Sequence, residues 1–186
     1  IDMKNKIVTI TGAISGIGWA TALAFKNMGA KLIICGRRDD KLRKLSKILG
    51  NNTRILKFDV REKKAVFDAF NSLPENWKNI EILINNAGNA HGLDPIQSAS
   101  IDDWDAMIDS NVKGLMYVTK AVLPKMIESK KGHIINLGSI AGKEVYPNGN
   151  VYCSSKAAVD FFTRGLRIDL NPIGIRVGAI RPGLVE

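Results

Sequence analysis

Short runs of β-branched and aliphatic residues alternate with longer helix-like stretches from one end of the chain to the other. That is the rhythm of a parallel sheet covered by helices. The expected strands are Ile7–Thr11, Lys31–Gly36, Arg54–Asp59, Ile82–Asn85, Gly132–Leu137 and Arg176–Ile180. Their cores are apolar without clean alternation, as in a sheet buried on both faces. The expected helices run from Gly16 to Met28, Asp39 to Leu49, Glu62 to Leu73, Ile101 to Glu128 and Asn150 to Asn171. These elements fill the chain, and no repeat, linker or long polar tract interrupts them. An α/β doubly wound parallel sheet follows, with residues 1–186 forming one domain.

Composition narrows the function classes. With 45% hydrophobic and 24% charged residues, the 186-residue chain has globular usage and enough length for a substantial core, which excludes disordered and fibrous roles. No apolar run approaches the ~18 residues of a spanning helix, and the chain opens with charge instead of a signal-peptide pattern. A cytoplasmic protein without membrane attachment is expected. Cys35 and Cys153 form neither a metal-ligand cluster nor a disulfide framework, so no metal is expected.

All of the net charge of +9 falls in the first 70 residues, which hold 15 Lys+Arg against 6 Asp+Glu. A basic half attracts nucleic acid, an anionic membrane or a phosphorylated small molecule. Lys41, Arg43, Lys44 and Lys47 sit among Leu42, Leu45 and Ile48 at amphipathic spacing and read as a solvated helix face. Trp19, Trp77 and Trp104 are widely spaced packing groups, so no nucleic-acid partner is expected. The last helix carries Ala157, Ala158, Val159, Phe161, Phe162, Leu166, Ile168 and Leu170, more apolar surface than one buried face needs. A homo-oligomer, dimer or tetramer, is expected from it.

Chemistry first shows directly after the first strand, in Thr11-Gly12-Ala13-Ile14-Ser15-Gly16-Ile17-Gly18 followed by a helix with Ala20, Leu23, Ala24 and Phe25 on its apolar side. Glycines let a backbone approach phosphates, and the helix start supplies free N–H groups and the positive end of a dipole. A dinucleotide pyrophosphate is held at such a place, so the sheet is expected to be Rossmann-like. The second strand ends in Cys35-Gly36-Arg37-Arg38, where an NAD-binding chain places an acid for the ribose hydroxyls. Two guanidiniums there suit a 2′-phosphate, which favours NADP. Asp39 and Asp40 read as acids complementing the dipole of the following helix.

Further along stand Ser139, just past the fifth strand, and Tyr152 with Lys156 four residues on, along one helix face. A phenol with pKa near 10 is a poor acid or base at neutral pH, and a nearby ammonium favours its ionised form. Ser139 would hydrogen-bond a reacting oxygen while Tyr152 exchanges its proton, so both would touch substrate. His91 and His133 lack a paired acid and read as loop and strand polar groups, and Cys153 reads as a small packing residue.

Thr11 to Gly18, Asp59-Val60, Asn85-Asn86-Ala87-Gly88, Asn111, Ser139, Tyr152 with Lys156, and Pro182-Gly183 follow the order found in short-chain dehydrogenases/reductases, and the whole chain resembles that family. The resemblance implies that Asp59 and Val60 meet adenine and that Asn86, Ala87 and Gly88 line the cofactor. It further implies that Lys156 holds the nicotinamide ribose, and that Pro182, Gly183 and Val185 complete the cofactor site. Asn111 would organise a water linking Lys156 to solvent, making a tetrad with Ser139 and Tyr152.

Leu73-Pro74 with Trp77, the run Ile80 to Gly92, Ala99-Ser100 with Asp103-Trp104, Asn111 to Ala121 and Gly149 to Tyr152 look like the NADP-dependent 3-hydroxy acid dehydrogenases, including the serine/allo-threonine type. Arg181 stands where that likeness leads to a glutamate. A small hydroxy acid or its ketone is the implied substrate. The alternatives are a 3-oxoacyl-carrier-protein reductase, and a non-catalytic NADP-sensing or nucleic-acid-binding module on the same fold. The resemblance also implies further helices and a last strand past Glu186, so the natural chain is expected to be longer, with a mass above the 20.4 kDa of these residues.

Overall fold

The computed structural model describes residues 2–185. One six-stranded parallel sheet, in the order β3-β2-β1-β4-β5-β6, takes in β1 (Ile7–Thr11), β2 (Lys31–Gly36), β3 (Thr53–Lys57), β4 (Ile80–Asn85), β5 (Gly132–Leu137) and β6 (Ile175–Ile180). This is the Rossmann order. The helices are α1 (Gly16–Asn27), α2 (Asp39–Leu49), α3 (Lys63–Asn71), α4 (Ile101–Ile108), α5 (Leu115–Ser129) and α6 (Asn150–Leu170).

Because every strand is parallel, each must return through a crossover, and side chains alternate between two apolar layers. Ile33, Leu83 and Ile134 point toward Phe70 of α3 and Val118 and Met126 of α5. Val8, Ile10 and Ile34 point toward Ala22 of α1 and Leu42 and Leu45 of α2. β1 pairs with β2 on one side and β4 on the other, so the chain's winding reverses beside it. A crevice outside the carboxyl ends of β1 and β4 follows from that reversal.

Two departures from the expected elements shape the site. The stretch foreseen as one helix from Ile101 to Glu128 divides into α4, a widened π turn over Asp109–Gly114, and α5. Within that turn Asn111 is drawn to the backbone of Asn89, where its Nδ2 donates to the carbonyl at 2.8 Å and its Oδ1 accepts the N–H at 2.8 Å. A contact to a residue 22 positions away competes with regular helical geometry, and π turns recur at functional sites. The third strand also ends at Lys57, short of the expected Asp59, because the chain turns out of the sheet after Phe58 donates to Gly36 O at 3.0 Å. Asp59 is thereby released into the crevice.

Polar side chains cross the interior in one ladder: Asn85 Nδ2 donates to Thr119 Oγ1 at 3.0 Å and to Asn136 Oδ1 at 2.9 Å, and Asn136 Nδ2 donates to Thr163 Oγ1 at 2.9 Å. It ties α5, β4, β5 and α6 in register beneath the crevice. Among the described residues, no helix is long and apolar enough to cross a membrane, and no cluster of three or more His, Cys, Asp or Glu is placed to hold a metal.

Candidate active site

The ends of β1 and β4 are stitched together where the glycine turn begins. Thr11 Oγ1 accepts the N–H groups of Asn86 and Ala87, each at 3.0 Å, while Asn86 Nδ2 donates to the carbonyls of Thr11 at 3.2 Å and Gly12 at 2.9 Å. Gly18 lies so close to this junction that a Cβ would strike the Gly12 carbonyl and the Asn86 amide, so the first turn of α1 accepts only glycine at that position. The helix has no acid in its first turn, and Ser15 makes no side-chain cap. Its leading N–H groups are left for an anion.

A cleft of about 400 Å³ opens over that helix start. Gly12, Ile14, Ser15, Gly16 and Ile17 form one wall, Arg37, Arg38, Asp59, Val60 and Arg61 the other, and Asn86, Ala87, Gly88 and Asn89 the floor beyond β4. Ala13 is buried in the core under the turn, and Gly18 serves the packing of α1, so both support the cleft from behind. Asp39 pairs with Arg43 within α2 at 2.6 Å, and Asp39 and Asp40 occupy that helix's first turn, leaving Arg37 and Arg38 to the cleft.

Arg61 was not foreseen. Its Nε reaches Asp59 Oδ1 at 3.1 Å and Oδ2 at 3.0 Å, and a terminal guanidinium nitrogen reaches Oδ2 at 2.7 Å. Burial pushes the Asp59 carboxyl up, but the hydrogen bonds from Arg61, helped by the charges of Arg61 and Arg37, hold it below the usual carboxylate range. The only cue in the sequence is the local Asp-Val-Arg spacing. Cys35 lies beneath, and burial raises its thiol far from any ionised form.

A second cleft of about 210 Å³ adjoins the first, sharing Ile17, Asn86, Gly88 and Asn89 with it. Leu137, Gly138, Ser139, Tyr152, Lys156, Pro182, Gly183 and Val185 line it. Ser139 caps a short turn at Ile140–Gly142, its Oγ accepting the Ala141 N–H at 3.1 Å, so the hydroxyl proton remains available to donate. Lys156 is buried, donates to Leu137 O at 3.3 Å and lies 6.0 Å from the centre of the Tyr152 ring; burial lowers its pKa. Asn111 Nδ2 also donates to Ser155 Oγ at 3.1 Å, so this side chain locks the loop after β4 onto α6. Gly88 passes between the two groups: a Cβ there would lie 2.8 Å from Asn111 Oδ1 and 3.6 Å from Lys156 Nζ.

On its other side Tyr152 borders a narrow crevice with His91, Asp94, Asp103, Trp104 and Asn148. His91 thus shares a crevice with Tyr152. Cys153 is buried in α6, in keeping with a packing role, and His133 is half-buried on β5 with its pKa lowered by burial and then by the Arg176 charge.

Arg181, the residue standing in place of an expected glutamate, is hydrogen-bonded to Asp160, one turn past Lys156 on α6. Lys143, at 2.9 Å, and Arg164, at 3.3 Å, meet the same carboxylate. Three cations on one buried acid join α6, the segment after Ser139 and the turn before Pro182. Burial pushes the Asp160 carboxyl up, but hydrogen bonds from Lys143 and Arg181 outweigh it and hold the pKa below the usual range. A depressed carboxylate pKa adds stability above the unfolded value of ~3.9, and that stability is lost as pH falls through the folded value. The Asp160→Asn variant is therefore expected to be less stable by about 1–2 kcal/mol at neutral pH, since the cations are half-exposed and screened. Thermal unfolding should show the gap to wild type closing as pH falls below the ordinary carboxylate range; an equal gap at neutral and at acid pH would remove the charge from the explanation.

Comparison with known proteins agrees with this geometry. The family model described as short chain dehydrogenase matches residues 6–186. The NADP-dependent 3-hydroxy acid dehydrogenase YdfG of Escherichia coli K12 is 49% identical over 179 residues, 96% of this chain and 72% of that protein. Sulfoacetaldehyde reductase 2 of Chromohalobacter salexigens is 46% identical over 185 residues, 98% of this chain and 73% of that protein. Among solved structures, the closed form of serine dehydrogenase complexed with NADP+ superposes with a TM-score of 0.95 at 48% identity, covering 97% of this chain and 73% of that one. With the Rossmann order, the glycine turn and the Ser139, Tyr152 and Lys156 cleft already in place, the chain belongs to the short-chain dehydrogenase family.

Proposed function

We propose that the protein is an NADP-dependent oxidoreductase acting on a secondary alcohol or its ketone, with a small 3-hydroxy acid such as serine or allo-threonine as substrate, and that residues 1–186 act as one dinucleotide-binding unit. The observation that carries this reading is a pair of adjoining clefts that share Ile17, Asn86, Gly88 and Asn89, with Arg37 and Arg38 in one and Ser139, Tyr152 and Lys156 in the other. The two clefts suit the cofactor on their own chemistry, since they offer uncapped helix N–H groups and guanidiniums beside the second strand. Bound NADP supplies hydride exchange at its nicotinamide ring. Ser15, Gly16 and Ile17 would hold the pyrophosphate, Arg37 and Arg38 the 2′-phosphate, and Asp59 and Val60 the adenine. Asn86, Ala87, Gly88, Pro182, Gly183 and Val185 would enclose the remaining length.

Within the second cleft, Ser139 donates its free O–H to the reacting oxygen and Tyr152 exchanges the proton. Lys156 would hold the nicotinamide ribose and would keep a positive charge near the Tyr152 ring while the proton is away. Asn111 holds the loop after β4 against α6, and we assign a water link from its widened turn to Lys156.

Initial rates with NADP and a panel holding serine, allo-threonine, sulfoacetaldehyde and an acyl-carrier thioester test the substrate. Fastest turnover of a free 3-hydroxy acid is expected. The thioester deserves its place because Lys143, Arg164 and Arg181 surround a single carboxylate near Ser139, which leaves a basic surface suited to an acidic carrier protein. Fastest turnover of that thioester would replace the hydroxy-acid reading with carrier-protein reduction. We also assign a homo-oligomer in the cytoplasm: Phe161 and Ile168 on α6 are 71% and 75% exposed, an apolar stripe that a second copy would cover. A monomer by light scattering would overturn that assignment.

A further inference from the structure

Asp59 is the one carboxylate among the described lining residues of the larger cleft, and it stands between two arginines. Arg37 approaches its Oδ2 only to 4.0 Å and makes no hydrogen bond with it. Arg61 takes both oxygens through its guanidinium and adds its backbone N–H to Oδ1 at 3.0 Å. Three N–H groups of Arg61 thus serve Asp59 from one side, and Arg37 is left 62% exposed at the cleft wall. Remove Arg61, and the free carboxylate has two effects at once. It draws Arg37 into a direct pair, and it presents an unshielded negative charge to any phosphate bound beside it.

We infer that Arg61 is a specificity-determining residue that acts by occupying Asp59, and so reserves Arg37 and Arg38 for the 2′-phosphate of NADP. This rests on the reading that the adenosine end of NADP lies at Arg37 and Arg38. Both effects act at the 2′-phosphate, whereas any change at the adenine contact of Asp59 is shared by ligands with and without that phosphate, so Arg61 sets the ratio of the two affinities. Arg61 is a positioning residue here: its guanidinium serves through Asp59 and does not grip the phosphate.

Titration calorimetry with adenosine 2′,5′-bisphosphate and with 5′-AMP reads that ratio without turnover. Wild type is expected to favour the bisphosphate. Arg61→Gln is expected to lower the bisphosphate-to-AMP affinity ratio about five- to tenfold, the scale of one charged contact at a partly exposed site. Adding Asp59→Asn to that variant is expected to restore the ratio to near wild type, because the competing carboxylate is gone. The Asp59→Asn single variant, which keeps Arg61, is expected to hold or raise the ratio, and it decides the matter should Arg61→Gln fail to fold.

Equal weakening of both ligands in Arg61→Gln would reduce the residue to wall support. A ratio left low in the double variant would mean that Arg61 grips the phosphate itself, and a lowered ratio in Asp59→Asn would contradict the competition; each of these overturns the inference. A wild type that does not prefer the bisphosphate would refute the underlying cofactor placement, and the role of Arg61 would fall with it.

Discussion

The Tyr152→Phe variant is expected to lose turnover by about a hundred- to ten-thousandfold, the contribution of one positioned acid–base group, while its affinity for NADP stays close to wild type. The substitution keeps the ring and its packing between the cleft of Ser139 and the crevice of His91, and removes only the exchangeable proton. Ser139 cannot take over, because its oxygen already accepts the Ala141 N–H and its single proton is a hydrogen-bond donor without a base to replenish it. Lys156 cannot take over either, being buried and directed to the Leu137 carbonyl. Stopped-flow reduction separates chemistry from binding in this variant. A kcat within a few-fold of wild type would exclude Tyr152 as the proton-exchanging group.

The second large effect is on cofactor choice. Replacing Arg37 and Arg38 together by alanine is expected to move the ratio of kcat/KM for NADP over NAD toward NAD. Each hydrogen bond from a charged donor to a phosphate is worth about 1.5–3 kcal/mol. The Arg37 side chain is 62% exposed, so screening reduces the sum to about a ten- to hundredfold change in the ratio. The NAD rate itself should change little, since the glycine turn and the Ser139 cleft are untouched. An unchanged ratio would make the pair a surface feature of the loop before α2.

Much of this was legible in the sequence because the relevant forces are local. β1, β2, β5 and α2 have the expected limits: apolar runs bounded by glycine or charge leave few alternatives for a strand buried on both faces. The glycine turn, the arginine pair and the Tyr152–Lys156 spacing were likewise visible, each requiring particular residue types within a few positions. What escaped depends on side chains meeting across the fold. The π turn at Asn111 arises from its hold on Asn89 and Ser155, partners 22 and 44 positions away. Arg181 stands where the likeness leads to a glutamate, yet it serves Asp160, 21 positions earlier. Arg61 lies only two residues from Asp59, but its importance shows once the strand ends early and both side chains reach the same cleft wall.

A crystal structure of the protein grown with NADP tests the site assignment most directly. The 2′-phosphate is expected within hydrogen-bond distance of Arg37 or Arg38, the pyrophosphate on the N–H groups at the start of α1, and the nicotinamide ring in the cleft of Ser139, Tyr152 and Lys156. A 2′-phosphate turned to solvent away from both arginines, or a nicotinamide bound outside that cleft, would contradict it.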